Sequence, residues 1–91
     1  MKKFDKCKFL DSEFGRNLRV KIKSWDEALF DTQKDSLDQI SVEKYINSCA
    51  AYWEAAQTAL KYFTGKDYHF SRTEKYCGII DENGIYLLRV R

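Results

Sequence analysis

The chain reads as a single α+β domain spanning residues 1–91. The expected form is a four-stranded antiparallel sheet of two hairpins, packed on one long amphipathic helix in the order ββ(α)αββ. Three stretches carry this expectation. Residues 41–64 place Val42, Ile46, Cys49, Trp53, Ala56, Leu60 and Phe63 at alternating spacings of four and three, which keeps them on one stripe of a helix. Residues 17–23 alternate Leu18, Val20 and Ile22 with Arg19, Lys21 and Lys23, the pattern of a half-buried strand. Asn83-Gly84 separates two short apolar runs near the C-terminus, a strong hairpin signal.

In chain order, residues 4–10 read as the first strand, with Cys7 and Phe9 inward and Lys6 and Lys8 toward water. The segment 11–17 is turn-like, with Gly15 and Asn17 suited to positive φ. Residues 17–23 then pair back as the second strand. Ser24-Trp25-Asp26-Glu27 matches a capping box, so a short helix or turn is expected over 25–31. Residues 31–40 form a polar connection.

The long helix has two candidate starts. Ser41 suits an N-cap, with Ile40 and Tyr45 as a hydrophobic staple and Glu43 in the first turn; Ser36 with Gln39 is the other capping box. Gly65 is placed to end the helix in the left-handed conformation. Tyr45, Tyr52, Ala55, Ala59 and Tyr62 widen the apolar stripe beyond the arc a surface helix needs, so the tyrosine side is a candidate partner or homodimer face.

After the helix, 68–73 reads as the start of a strand and 75–80 as its continuation. Residues 81–84 form the turn and 85–90 the last strand. With an even loop, Cys77, Ile79, Tyr86, Leu88 and Val90 share one face, and Tyr76, Ile80, Leu87, Arg89 and Arg91 the other. The strand order is open.

Composition excludes several classes. Hydrophobic residues make up 44% and aromatics 15% of the chain, which argues for a folded core. No apolar run approaches the ~20 residues of a membrane span, and no apolar segment follows the N-terminal charges, so the expected location is cytoplasmic. The three cysteines, Cys7, Cys49 and Cys77, are far apart and fit no disulfide framework or zinc pattern, and all fall on expected core faces. A net charge of +2 is too mild to imply nucleic acid on its own.

Signals of catalysis are lacking. His69 is the single histidine; a nucleophile pair with Cys77 is conceivable, but a structural or surface histidine is the expected reading. No phosphate-binding glycine loop is present, and no cofactor or metal is implied. Two charged surfaces remain. Asp26, Glu27, Asp31, Asp35 and Asp38 form an acidic segment, without the glycine a calcium loop requires. Lys6, Lys8, Arg19, Lys21 and Lys23, joined by Arg89, Arg91 and Tyr76, form an expected basic sheet face. Cations with an aromatic on an open sheet suit single-stranded nucleic acid, and exposed lysines also guard sheets against edge pairing.

These features point to a non-enzymatic protein-binding domain that blocks a partner protein by steric and electrostatic means. By size and class it compares with stand-alone inhibitor or immunity-type proteins, such as phage-encoded anti-defence (anti-CRISPR-like) proteins, an analogy of build alone. The alternative is a small nucleic-acid-binding domain using the basic sheet face.

Overall fold

The N-terminal half is helical where the sequence pattern pointed to sheet. The structure, a computed structural model, describes residues 4–32 and 39–91. Three helices, α1 (Lys6–Asp11), α2 (Glu13–Thr32) and α3 (Gln39–Thr64), precede three strands, β1 (His69–Arg72), β2 (Cys77–Ile80) and β3 (Tyr86–Arg89). The expected four-stranded sheet on one helix is therefore replaced by a three-stranded antiparallel sheet, ordered β1-β2-β3, against a helical layer.

Both expected N-terminal strands lie in helices. Residues 4–10 fall largely in α1, with Asp5 as N-cap accepting from Lys8 N at 3.1 Å. Cys7, expected inside, is exposed. Residues 17–23 lie in the middle of α2. Leu18 and Ile22 are 0% and 1% exposed, whereas Val20 between them is 61% exposed. That contrast is helical: positions four apart share a face and positions two apart do not. The alternation over six residues is nested in a longer repeat, Phe14, Leu18, Ile22, Trp25 and Leu29, at spacings of 4, 4, 3 and 4. Five consecutive positions of a helical stripe outweigh three of a strand, because each added turn buries more area. Ser24, expected to cap a new helix, lies inside α2.

One residue joins α1 to α2. Ser12 donates its backbone N–H to Lys8 O at 3.0 Å, and its hydroxyl accepts from Gly15 N at 3.1 Å, so it ends one helix and begins the next. A Cβ at Gly15 would lie 1.9 Å from Phe9 O, so the crossing of these helices requires glycine there.

The long helix agrees with expectation over most of its length. Cys49, Trp53, Ala56 and Leu60 are buried, while Phe63 is 70% exposed. The helix begins at Gln39, ahead of Ser41, and Ser36 lies outside the described residues. Gly65 ends it at φ 73°, donating to Lys61 O at 2.8 Å.

The segments 68–73 and 75–80 are two strands, not one. Thr73 N donates to Tyr76 O at 2.7 Å across the turn, and His69 then pairs with Ile80, Phe70 with Ile79, Ser71 with Gly78 and Arg72 with Cys77. In the second hairpin, Asp81 Oδ1 accepts from Asn83 N at 2.8 Å and from Ile85 N at 3.0 Å. Ile79 pairs with Leu88 but Ile80 with Tyr86, so Leu87 is an extra residue in β3. This bulge overturns the expected face assignment. Tyr86 leaves the face of Leu88 for that of Ile80, and consecutive Leu87 and Leu88 are both buried.

The core joins Leu18 and Ile22 of α2, Trp53, Ala56 and Leu60 of α3, and Tyr68, Cys77, Ile79, Leu87 and Leu88 of the C-terminal hairpins. Each fully buried aliphatic side chain here contributes about 1.5–3 kcal/mol. Trp25 stacks on Phe70 at 4.0 Å, fixing α2 across the face of the sheet that carries Phe70, Ile79 and Leu88.

Candidate functional site

Three arrangements of side chains could do chemistry or recognition, and each is built by contacts distant in sequence. The first is centred on Asp26. The spacing Leu18, Ile22, Asp26 puts this carboxylate on the buried side of α2, where it is 5% exposed. An ionised group there needs partners. Arg72 Nε donates to Oδ1 at 2.7 Å, and Arg91 donates Nε to Oδ2 at 3.0 Å and Nη2 to Oδ1 at 3.2 Å. Arg91 also donates Nη2 to Thr73 O at 2.9 Å and Nη1 to Glu74 O. The Phe30 ring lies 4.6 Å from the Arg72 guanidinium and 4.9 Å from that of Arg91. Burial pushes the Asp26 carboxyl up, but the hydrogen bonds and charges of Arg91 and Arg72 outweigh it and hold the group below its ordinary value.

The same cluster silences Cys77. Burial, with the charge of Asp26 and a hydrogen bond to it, pushes that thiol up to about 12. His69 stands opposite Ile80 while Cys77 stands opposite Arg72, so the pair is at opposite ends of the β1–β2 ladder and does not form the nucleophile arrangement considered from the sequence. Cys49 is likewise buried and its thiol is raised by burial.

The second arrangement is an aromatic groove. Phe4 and Phe9 have ring centroids 5.7 Å apart, and Phe9 meets Phe14 edge-on at 5.5 Å. With Leu60 and Phe63 they line a depression of about 400 Å³, rimmed by Asp5 and Lys8. Outside this lining, Tyr62 is 85% exposed and packs edge-on against Phe63. A second depression of about 450 Å³ lies on the other side of Phe14, between α2 and α3, floored by Ala55 and Ala56 and flanked by Tyr52. Folding brings the start of the chain and the end of α3 together here. No local sequence pattern announces that.

The third is the face of the sheet turned away from the helices. The pairings place His69, Ser71, Gly78, Ile80, Tyr86 and Arg89 on it, with Tyr76 diagonal to Arg89. The Arg89 guanidinium sits 5.4 Å from the Tyr76 ring. Along the β3 edge, Lys6 Nζ donates to Tyr86 O and Arg19 Nη1 donates to Arg89 O at 3.2 Å.

The expected basic sheet face is thus divided. Lys6 and Lys8 are on α1, and Arg19, Lys21 and Lys23 are on α2, because those segments are helical. Lys6 and Arg19 still reach the β3 edge, at Tyr86 O and Arg89 O. Lys8 rims the aromatic groove. Lys21 lies over Tyr52 at 5.7 Å on the flank facing α3. Lys23 is exposed on α2. Arg91 is committed to Asp26, on the helical side of the sheet. The acidic segment is also not one surface: Asp26 is buried, Glu27 is exposed, Asp31 falls near the end of α2, and Asp35 and Asp38 lie outside the described residues. Of the three tyrosines proposed as one face, Tyr52 is half-buried, Tyr45 is 43% exposed, and Tyr62 belongs to the aromatic groove region.

Among the described residues no group of three or more His, Cys, Asp or Glu could hold a metal ion, and no helix is long and apolar enough to cross a membrane. No family model matches the chain, and no curated protein or solved structure matches it.

Proposed function

We propose that the protein is a non-enzymatic protein-binding domain that acts by occupying the surface of a partner protein, in the manner of a small inhibitor or immunity-type protein. One observation supports this above the others: the groove of Phe4, Phe9, Phe14, Leu60 and Phe63, in which Phe63 is exposed and carries the exposed Tyr62 ring against it. Exposed aromatic side chains around a concave apolar floor are the usual makings of an interface hot spot, since they add large area at small conformational cost. The Asp5 and Lys8 rim favours a partner that presents an apolar anchor flanked by charges of both signs.

The test compares captures from nuclease-treated host lysate by the wild-type chain, by Tyr62→Ser/Phe63→Asp, and by Lys44→Glu as a surface control. All three sites are exposed, so folding is expected to be kept. The reading expects a stoichiometric protein that is retained by the wild type and the control and lost by the groove variant. A partner held equally by all three, or no stoichiometric protein at all, would overturn it.

A further inference from the structure

We propose that the open face of the sheet is a binding platform for single-stranded nucleic acid, with Tyr76 and Tyr86 as base-stacking surfaces and Arg89, Arg19 and Lys6 as phosphate contacts. This surface is separate from the aromatic groove, so it stands or falls independently of the function proposed above.

The register carries the argument. Among the described residues, the Trp25–Phe70 stack and the core residues Ile79 and Leu88 mark the face on which the helices pack. The opposite face carries Tyr86 and Arg89, because the bulge at Leu87 turns Tyr86 over to the side of Ile80. Gly78 lies between the two tyrosines in sequence register. A Cβ there would lie 3.1 Å from Tyr86 Cδ1 and 2.2 Å from Leu88 O, so the bare glycine lets the Tyr86 ring lie close to the sheet. Tyr76 is 46% exposed and diagonal to Arg89. Flat aromatic rings on a sheet, held next to guanidinium groups, accept unstacked bases, whereas the edges of a duplex do not offer such surfaces.

The charges have the right sign and none of the three is held in an ion pair, Lys6 acting on the Asp81 carboxylate only from beyond ion-pair distance. Among the described residues the ion pairs are Lys61–Asp67, Arg72–Asp26 and Arg91–Asp26. Lys6, Arg19 and Arg89 therefore face no carboxylate within ion-pair distance. Lys6 and Arg19 each donate to a carbonyl of β3, which holds their heads at the sheet edge while leaving further N–H groups for phosphate oxygens. The same two contacts occupy carbonyls that a partner strand would need, which disfavours strand addition at this edge. An acidic protein would satisfy the cations but would make no use of the two ring faces.

The probe is a fluorescently labelled single-stranded oligothymidylate, with its RNA counterpart and a duplex of equal length, read by anisotropy. The wild type is expected to bind the single strands about tenfold or more tighter than the duplex. With three cations engaged, log K should fall against log salt with a slope of about −2. Tyr76→Ala/Arg89→Gln should weaken binding by about tenfold or more and make the slope shallower by about 0.7. The control, Tyr45→Ala/Lys44→Gln, removes one exposed aromatic and one exposed charge of α3 and should change affinity by less than about twofold. Absence of saturable binding near about 100 µM protein at low salt would overturn the proposal. So would equal losses in the two variants, or equally tight binding of polyglutamate, which would mark the face as an acidic-protein contact instead.

Discussion

Arg72 Nε donates to Asp26 Oδ1 at 2.7 Å across 46 positions of sequence, and this bond ties the middle of α2 to the first strand. Asp26 also receives Arg91, two residues beyond the third strand, so one carboxylate fastens both outer parts of the sheet to the helical layer. Its side chain is 7% exposed, against 21% and 26% for the two arginines. The acid is therefore the member that cannot turn to water when a partner is lost.

Asp26→Ala is expected to lower stability by about 3 kcal/mol, since it removes at once both ion pairs that fasten the sheet to α2. Arg72→Met should cost less, because Arg91 continues to satisfy the carboxylate. Urea midpoints at neutral pH check the order; Arg72→Met costing as much as Asp26→Ala would contradict it.

The same cluster sets an acid limit. Because the Asp26 carboxyl is held below its ordinary 3.8 in the folded protein, its contribution is fully present above that value. The contribution is lost as pH falls through the lower folded value, since the unfolded chain then takes up the proton first. Asp81 is shifted in the same direction by backbone N–H bonds from Ile85 and Asn83, and its contribution is common to the wild type and Asp26→Asn. Stability should therefore fall below about pH 4 more steeply in the wild type than in Asp26→Asn. Parallel acid unfolding curves for the two proteins would contradict this.

The helical reading of residues 17–23 is testable at single positions. Val20→Lys should change stability by less than about 0.5 kcal/mol, as an exposed helical site. Ile22→Ala should cost about 2–5 kcal/mol, by removing a fully buried side chain. A strand would have made the two positions equivalent, so similar losses at both would revive it.

Cys7 is exposed while Cys49 and Cys77 are buried, with Cys77 pushed up to about 12. A thiol reagent at pH 8 should modify one cysteine rapidly in the native protein and the remaining two only on unfolding. Fast labelling of Cys77, located by peptide mass mapping, would contradict the burial of the Asp26 cluster.

The long helix was legible because its apolar period runs through seven positions, too many for any strand to imitate, and Gly65 marks its end without help from elsewhere. The last hairpin was legible from Asp81 to Gly84, whose bonds are local. Residues 17–23 misled for the opposite reason. Leu18, Val20 and Ile22 satisfy both periods over a short window, and only the extension to Phe14, Trp25 and Leu29 separates them. Asp26 was visible as an acid on an apolar stripe, spaced by four from Ile22, yet its charge drew it into an acidic surface segment.

By itself the sequence determined the end of α3, though not its start, the turn chemistry at Asp81, and which side chains carry charge or aromatic area. These follow from bonds and spacings within a few residues. Only the tertiary structure decided which groups meet. Lys6 reaches Tyr86 O across 80 positions and Arg19 reaches Arg89 O across 70, and the bulge at Leu87 reversed the face of Tyr86. Such encounters depend on how the layers pack and on the register between strands, where one extra residue turns a side chain from one face to the other.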